Sequence, residues 1–173
     1  LQRNVSMAEW HNVVITLDSS DKGEITTYLD GDKIHTGTYT DNYTAKEGLT
    51  IGHKGDNDFV DAYIDNIQIF NRSLSGSESI SLSKAPSQSW SSSSLQVRSR
   101  ESNPGSDSLV ASYNFEGVGQ TVMDASGNGD SGTLGNNITT SIGDPDRVSG
   151  YSGQGLEFDG KNDYAEVPSE GDL

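Results

Sequence analysis

At 173 residues the chain is long enough for one domain or two small ones, and its 31% hydrophobic content with 20 glycines suits a thin, turn-rich β-structure better than a helical bundle. A formal net charge of −15 argues against nucleic acid and anionic membrane as partners, because no basic patch is available to displace counterions. The absence of cysteine removes disulfides and thiolate chemistry, and no apolar run of about 18 residues is present to span a membrane.

The chain opens at Leu1 without a charged-then-apolar leader, and a start without Met suggests an excerpt of a longer protein. Residues 10–17, WHNVVITL, are β-branched and aromatic and read as a strand. Residues 24–29 form another, and Asp30-Gly31 signals a tight turn into Lys33–Thr38, because both central residues of such a turn need positive φ. GLTIG at 48–52 reads as a short strand, and DNDFVDAY at 56–63 as a solvated acidic loop.

The stretch 63–74, YIDNIQIFNRSL, carries the strongest pattern. Alternation predicts Tyr63, Asp65, Ile67 and Ile69 on one face of a strand, and Ile64, Asn66, Gln68 and Phe70 on the other. Asp65 therefore shares a face with two isoleucines. A carboxylate there is costly unless it stays wet, is hydrogen-bonded or binds a cation. LSGSESI, residues 74–80, is compatible with one helical turn.

Residues 85–107 differ in kind: nine of 23 are serine, Pro86 and Pro104 fall here, and no apolar period survives, so a flexible linker is predicted, with Trp90 inside it. Beyond it, LVASYNF alternates Leu109, Ala111, Tyr113 and Phe115 against Val110, Ser112 and Asn114, the pattern of a half-buried strand. A glycine-rich loop, MDASGNGDSGTL, follows. Leu156–Phe158 is a brief strand, DGKN at 159–162 a turn, and Tyr164–Val167 a strand ended by Pro168. The segments flanking the linker are both acidic, net −6 for residues 1–84 and net −9 for 108–173.

Together these motifs resemble a known family. WHNVVITLD, ITTYLDGDKIHTG, LTIG and AYIDNIQIFNRSLSGSES are similar to the C-terminal half of a laminin-G-like, concanavalin A-like domain. LVASYNFEG, TVMDASGNGDSGTL and GQGLEFDGKNDYAEVP are similar to the N-terminal half of the same kind of domain. The resemblance implies an all-β fold, an antiparallel jelly-roll β-sandwich that is either incomplete or circularly permuted. It divides the chain into a C-terminal half-module at 1–84, the linker at 85–107 and an N-terminal half-module at 108–173. The halves come in reversed order, so the chain is either a window across two tandem modules or a permutant. The expectation is that the two halves pack together, because each alone would leave apolar faces and open edges exposed.

The resemblance also implies a structural calcium ion joining an N-terminal loop to an aspartate of the last strand. Carried over by position, its ligands are Asp124 and Asn128 from D-A-S-G-N-G-D and Asp65 from the strand. The loop alternates oxygen-bearing side chains as a calcium loop does, but Gly135 stands where an EF-hand needs its bidentate Glu. The competing reading is a glycine-rich turn held by Asx hydrogen bonds. Asp159, Asn162 and Asp163 form a second oxygen cluster that reads better as hairpin chemistry. His11, His35 and His53 have no partner at metal spacing. Four N-x-S/T sequons, at Asn4, Asn42, Asn71 and Asn137, are of the number expected by chance in so Ser-, Thr- and Asn-rich a chain.

Catalysis is not expected: the sequence lacks E-x-D-x-x-E, G-x-S-x-G, H-E-x-x-H, a P-loop and G-x-G-x-x-G before a helix. The expected role is a non-catalytic extracellular or cell-surface module, binding glycans or a surface protein. The alternatives are a structural spacer in an adhesin, or an accessory domain of a secreted glycosidase or protease. No ligand-binding residue is assignable.

Overall fold

The structure, a computed structural model, describes residues 9–18, 23–39, 48–54, 58–84 and 108–168. The predicted linker, Trp90 and the sequons at Asn4 and Asn42 lie outside the described residues. The chain forms two compact units.

One unit holds an antiparallel meander of β1 (Val13–Asp18), β2 (Glu24–Leu29) and β3 (Asp32–Thr38), with a helix, α1 (Gly76–Lys84). The Asp30-Gly31 turn has φ values of 52° and 84° at its two central residues, as the sequence predicts. His11 Nδ1 lies 2.8 Å from Asp30 Oδ2, and Asp30 Oδ1 accepts the Asn12 N–H, so the strand entry is tied to the turn. α1 runs nine residues rather than one turn, and its N-terminus carries a reciprocal cap. Ser75 Oγ accepts the Glu78 N–H at 3.3 Å, while Glu78 Oε2 accepts the Ser75 N–H at 2.8 Å, a reciprocal capping box.

Among the described residues, the other unit contains four small sheets. β4 (Leu49–Ile51), β10 (Thr121–Val122), β11 (Gly132–Leu134) and β14 (Ala165–Val167) run in the order β10-β11-β14-β4. β7 (Asp61–Ile64), β12 (Asp146–Ser149) and β13 (Gln154–Asp159) run β12-β13-β7. β5 (His53–Lys54) pairs with β6 (Asp58–Phe59). β8 (Ile67–Phe70), of which Ile67–Ile69 lie in this unit, pairs with β9 (Leu109–Tyr113). Strands from both sides of the linker therefore hydrogen-bond within one unit, with Ile64 opposite Leu156 and Ile51 opposite Ala165. The compact units cut across the division at 84 and 108.

These strands share one apolar core, in which Tyr113, Phe115, Leu156, Phe158, Val122 and Val167 are fully buried. The stretch read as an acidic loop at 56–63 instead contributes β6 and most of β7, and two strand readings also change. β9 is not half-buried: Val110, Ala111, Ser112 and Tyr113 are all covered. The stretch 61–70 is not one strand. It breaks at Asp65-Asn66, with Asn66 at φ 55°, and the break shifts the phase, so Ile64 packs against the same core as Ile67 and Ile69. Uninterrupted alternation would have turned Ile64 away from them.

Candidate functional site

The break between β7 and β8 turns Asp65 toward the hairpin that joins β12 to β13. Asp65 Oδ2 accepts the Ser152 N–H at 3.0 Å. Its Oδ1 is buried with no hydrogen-bond partner, and so is the neighbouring Asn66 Nδ2. Burial pushes the Asp65 carboxyl above its ordinary value; main-chain N–H groups of Ser152, Asn66 and Tyr151 work against that, and the charge of Glu116 adds to it. A half-buried carboxylate with one oxygen unsatisfied is a costly arrangement.

Glu116 reaches the same hairpin from the end of β9. The residue before it, Phe115, is fully buried and held at φ 54°. A bulky residue in the left-handed region is rare, and such strain concentrates at functional positions. Thus Asp65 and Glu116 each adjoin a left-handed residue that is not glycine, Asn66 and Phe115. Glu116 Oε1 accepts the Gln154 N–H at 3.0 Å, and Gln154 Oε1 accepts the Gly117 N–H at 3.0 Å, so loop and hairpin are clipped together in both directions.

Three glycines make room for these carboxylates. A Cβ on Gly150 would lie 2.7 Å from Asp65 Oδ2, one on Gly155 3.4 Å from Asp65 Cβ, and one on Gly153 1.8 Å from Glu116 Oε1. The hairpin is closed by the Gly150 N–H on Gly153 O at 3.0 Å. Two acidic side chains, one with a spare buried oxygen, thus meet a cradle in which an added Cβ at Gly150 or Gly153 would crowd a carboxylate oxygen.

The expected ligand set divides in two. Asp124 and Asn128 come together on the loop after β10, and Asp65 shares none of their hydrogen-bond partners. Asp124 Oδ1 accepts the N–H groups of Ser112 and Ser126; its Oδ2 accepts the Ser126 hydroxyl at 2.7 Å and the N–H groups of Gly129 and Asp130. Burial works to raise this carboxyl, but the donors from Ser126, Ser112 and Gly129 outweigh it, and the group sits below its ordinary value. Asn128 turns its amide nitrogen to Leu109 O and Val110 O, at 3.0 and 2.7 Å. With the carboxylate's lone pairs taken by donors, this loop has the geometry of the Asx-bonded turn.

The 159–163 cluster is likewise a turn. Asp163 Oδ2 accepts the Asp159 N–H at 2.9 Å, and Asp159 accepts both the N–H and the ammonium of Lys161. Asn162 donates its side-chain amide to Ile142 O. Among the described residues no three His, Cys, Asp or Glu side chains gather as a metal-holding group. Glu116, Gln154 and the three glycines are absent from the sequence-derived site. The signal available for them was three glycines within six residues, 150–155, directly before a strand.

Comparison with family models matches residues 2–78 to the laminin G type of the concanavalin A-like lectin/glucanases superfamily. The matched stretch contains Asp65 and ends before Glu116. No curated protein and no solved structure matches the chain. The antiparallel, almost helix-free make-up of the described residues agrees with an all-β, concanavalin A-like sandwich.

Proposed function

Residues 2–78 being a laminin-G-like segment of the concanavalin A-like lectin/glucanases superfamily, we propose that the chain serves as a non-catalytic, extracellular binding module for a glycan or a surface protein. The family match carries this reading, since the superfamily's modules are typically ligand-binding. The acidic composition fits a partner other than nucleic acid, and among the described residues no helix is long and apolar enough to cross a membrane. The test is a glycan array, together with capture of cell-surface proteins, probed with the folded full chain. Saturable binding to a defined glycan or surface protein supports the reading. Silence from a chain that melts cooperatively overturns it in favour of a structural spacer.

The proposal includes a structural calcium ion, held by Asp65 and Glu116 with main-chain carbonyls rather than by Asp124 and Asn128. The supporting observation is Asp65 Oδ1, buried with no hydrogen-bond partner on a carboxylate whose other oxygen lies against Gly150. Calcium takes six to eight oxygens, so two carboxylates require further carbonyl or water oxygens. The bound ion would supply positive charge to two like-charged groups and a partner to the spare oxygen. Melting with and without chelator tests it: an ion binding only the folded form at 100 times its Kd adds about 2.7 kcal/mol. An unchanged midpoint in excess chelator overturns the calcium reading and leaves the ligand-binding one standing.

A further inference from the structure

We propose that Arg147 is the positioning residue of the Asp65–Glu116 site, acting through the main chain of the loop that carries Glu116. The inference rests on the calcium reading of that site. Arg147 lies on β12, opposite Leu156 of β13, in the hairpin whose turn faces the two carboxylates. Its guanidinium donates to three carbonyls of a single loop: Nη1 to Phe115 O at 2.5 Å, Nη2 to Thr121 O at 2.7 Å and Nε to Gly119 O at 3.2 Å. One planar, rigid fork thus fixes both ends and the middle of residues 115–121. A lysine ammonium at the end of a flexible stem cannot reproduce that spread.

The contact that matters most is the one to Phe115. That residue is held in the left-handed region, and its carbonyl belongs to the peptide that leads into Glu116. Without the Arg147 bond, the Phe115 backbone is free to relax toward an ordinary conformation, and relaxation turns the Glu116 side chain away from the glycine cradle. The hairpin therefore does two things with one strand pair: its turn receives the carboxylates, and its β12 strand holds the loop that delivers one of them. Because residues that orient metal ligands typically govern affinity by about 10–100-fold, a comparable effect is expected here.

The experiment is calcium titration calorimetry, well below the melting temperature, on the full chain as wild type, Arg147→Lys, Arg147→Met and Asp65→Asn. The expected result is binding by wild type, none by Asp65→Asn, and at least about tenfold weaker binding by both Arg147 variants, with the two Arg147 variants still melting cooperatively in chelator. A residue with a merely structural role would lower the chelated melting temperature and leave Kd unchanged. Wild-type Kd in either folded Arg147 variant overturns this inference alone. Failure of both variants to fold in chelator also overturns it, since Arg147 would then serve the whole unit. Absence of binding by wild type overturns the calcium reading and this inference with it.

Discussion

Gly153 lies so close to Glu116 that a Cβ at position 153 would stand 1.8 Å from Glu116 Oε1. The atom in the way is the tip of a flexible side chain, so a methyl group there displaces Glu116 rather than bursting the fold. Gly153→Ala is therefore expected to weaken calcium binding while costing only the strain of alanine at φ 69°, about 1–2 kcal/mol. Gly129→Ala is the control: Gly129 has φ 101° and open space around its Cβ position, and it lies outside the loop that Arg147 holds. Both variants should lose similar stability in chelator by denaturant unfolding. Only Gly153→Ala should lose calcium affinity, and equal affinities would contradict the placement of Glu116.

Asp65 makes the opposite kind of test. Its carboxyl is raised mainly by burial, so the folded chain holds that proton more tightly than the unfolded chain. The sign follows from linkage. This group's contribution to stability is fully present below the unfolded value of 3.8 and is lost as pH rises through the higher folded value. Chelated wild type should therefore fall in stability over that window relative to Asp65→Asn, which keeps the shape without the charge. Thermal melts in chelator across that range are expected to show Asp65→Asn at least as stable as wild type near neutral pH. In calcium the order should reverse. A neutral-pH loss of stability for Asp65→Asn in chelator would mean that its carboxylate is held mainly by hydrogen bonds.

Which parts of this arrangement were legible in the sequence follows from how local each signal is. The Asp30-Gly31 turn, the strands around it and the 159–163 turn depend on a few adjacent residues, and each lies where the sequence places it. The unease about Asp65 was also legible, since a carboxylate beside two isoleucines needs only the strand period to be noticed. Its partner was not. Glu116 meets Asp65 through a hairpin at 150–155, and nothing in N-F-E-G marks a residue whose preceding φ is positive. The phase shift at Asp65-Asn66 was hidden for a related reason: alternation cannot register a left-handed residue inside an apparently continuous strand. The loop at 124–130 misleads in a third way. Side chains that suit a cation also suit backbone N–H groups, and here the donors are local.

Asp124 consequently separates two ligand assignments. Its carboxylate receives four main-chain N–H groups and the Ser126 hydroxyl, tying β9 to the loop that follows β10. Asp124→Ala leaves buried donors unpaired, and each such donor costs about 1–3 kcal/mol. A total loss of roughly 2–4 kcal/mol is expected by chemical denaturation, because some of the N–H groups regain water. Calcium affinity should stay within about twofold of wild type, a difference of only ~0.4 kcal/mol. If Asp124→Ala folds stably and its calcium binding disappears, the ion belongs to the loop and the assignment to Asp65 and Glu116 is wrong.

The helix in the other unit gives a prediction independent of any ligand. Glu78 is brought from 4.5 down to about 2, first by the Arg72 guanidinium at 2.5 Å and then by the donors of Ser75. A lowered carboxylate stabilises the fold above its unfolded value and loses that contribution as pH falls through the folded one, here from about 4.5 to about 2. Ser75→Ala removes the hydroxyl that accepts the Glu78 N–H and donates to its carboxylate, and should cost about 1 kcal/mol. Glu78→Gln keeps the shape but weakens both the Arg72 pair and the reciprocal bond to the Ser75 N–H. Its stability should differ most from wild type near neutral pH and converge with it toward pH 2, as read by acid titration of far-UV circular dichroism. A constant difference across that range would show that the pair with Arg72 contributes through packing rather than charge.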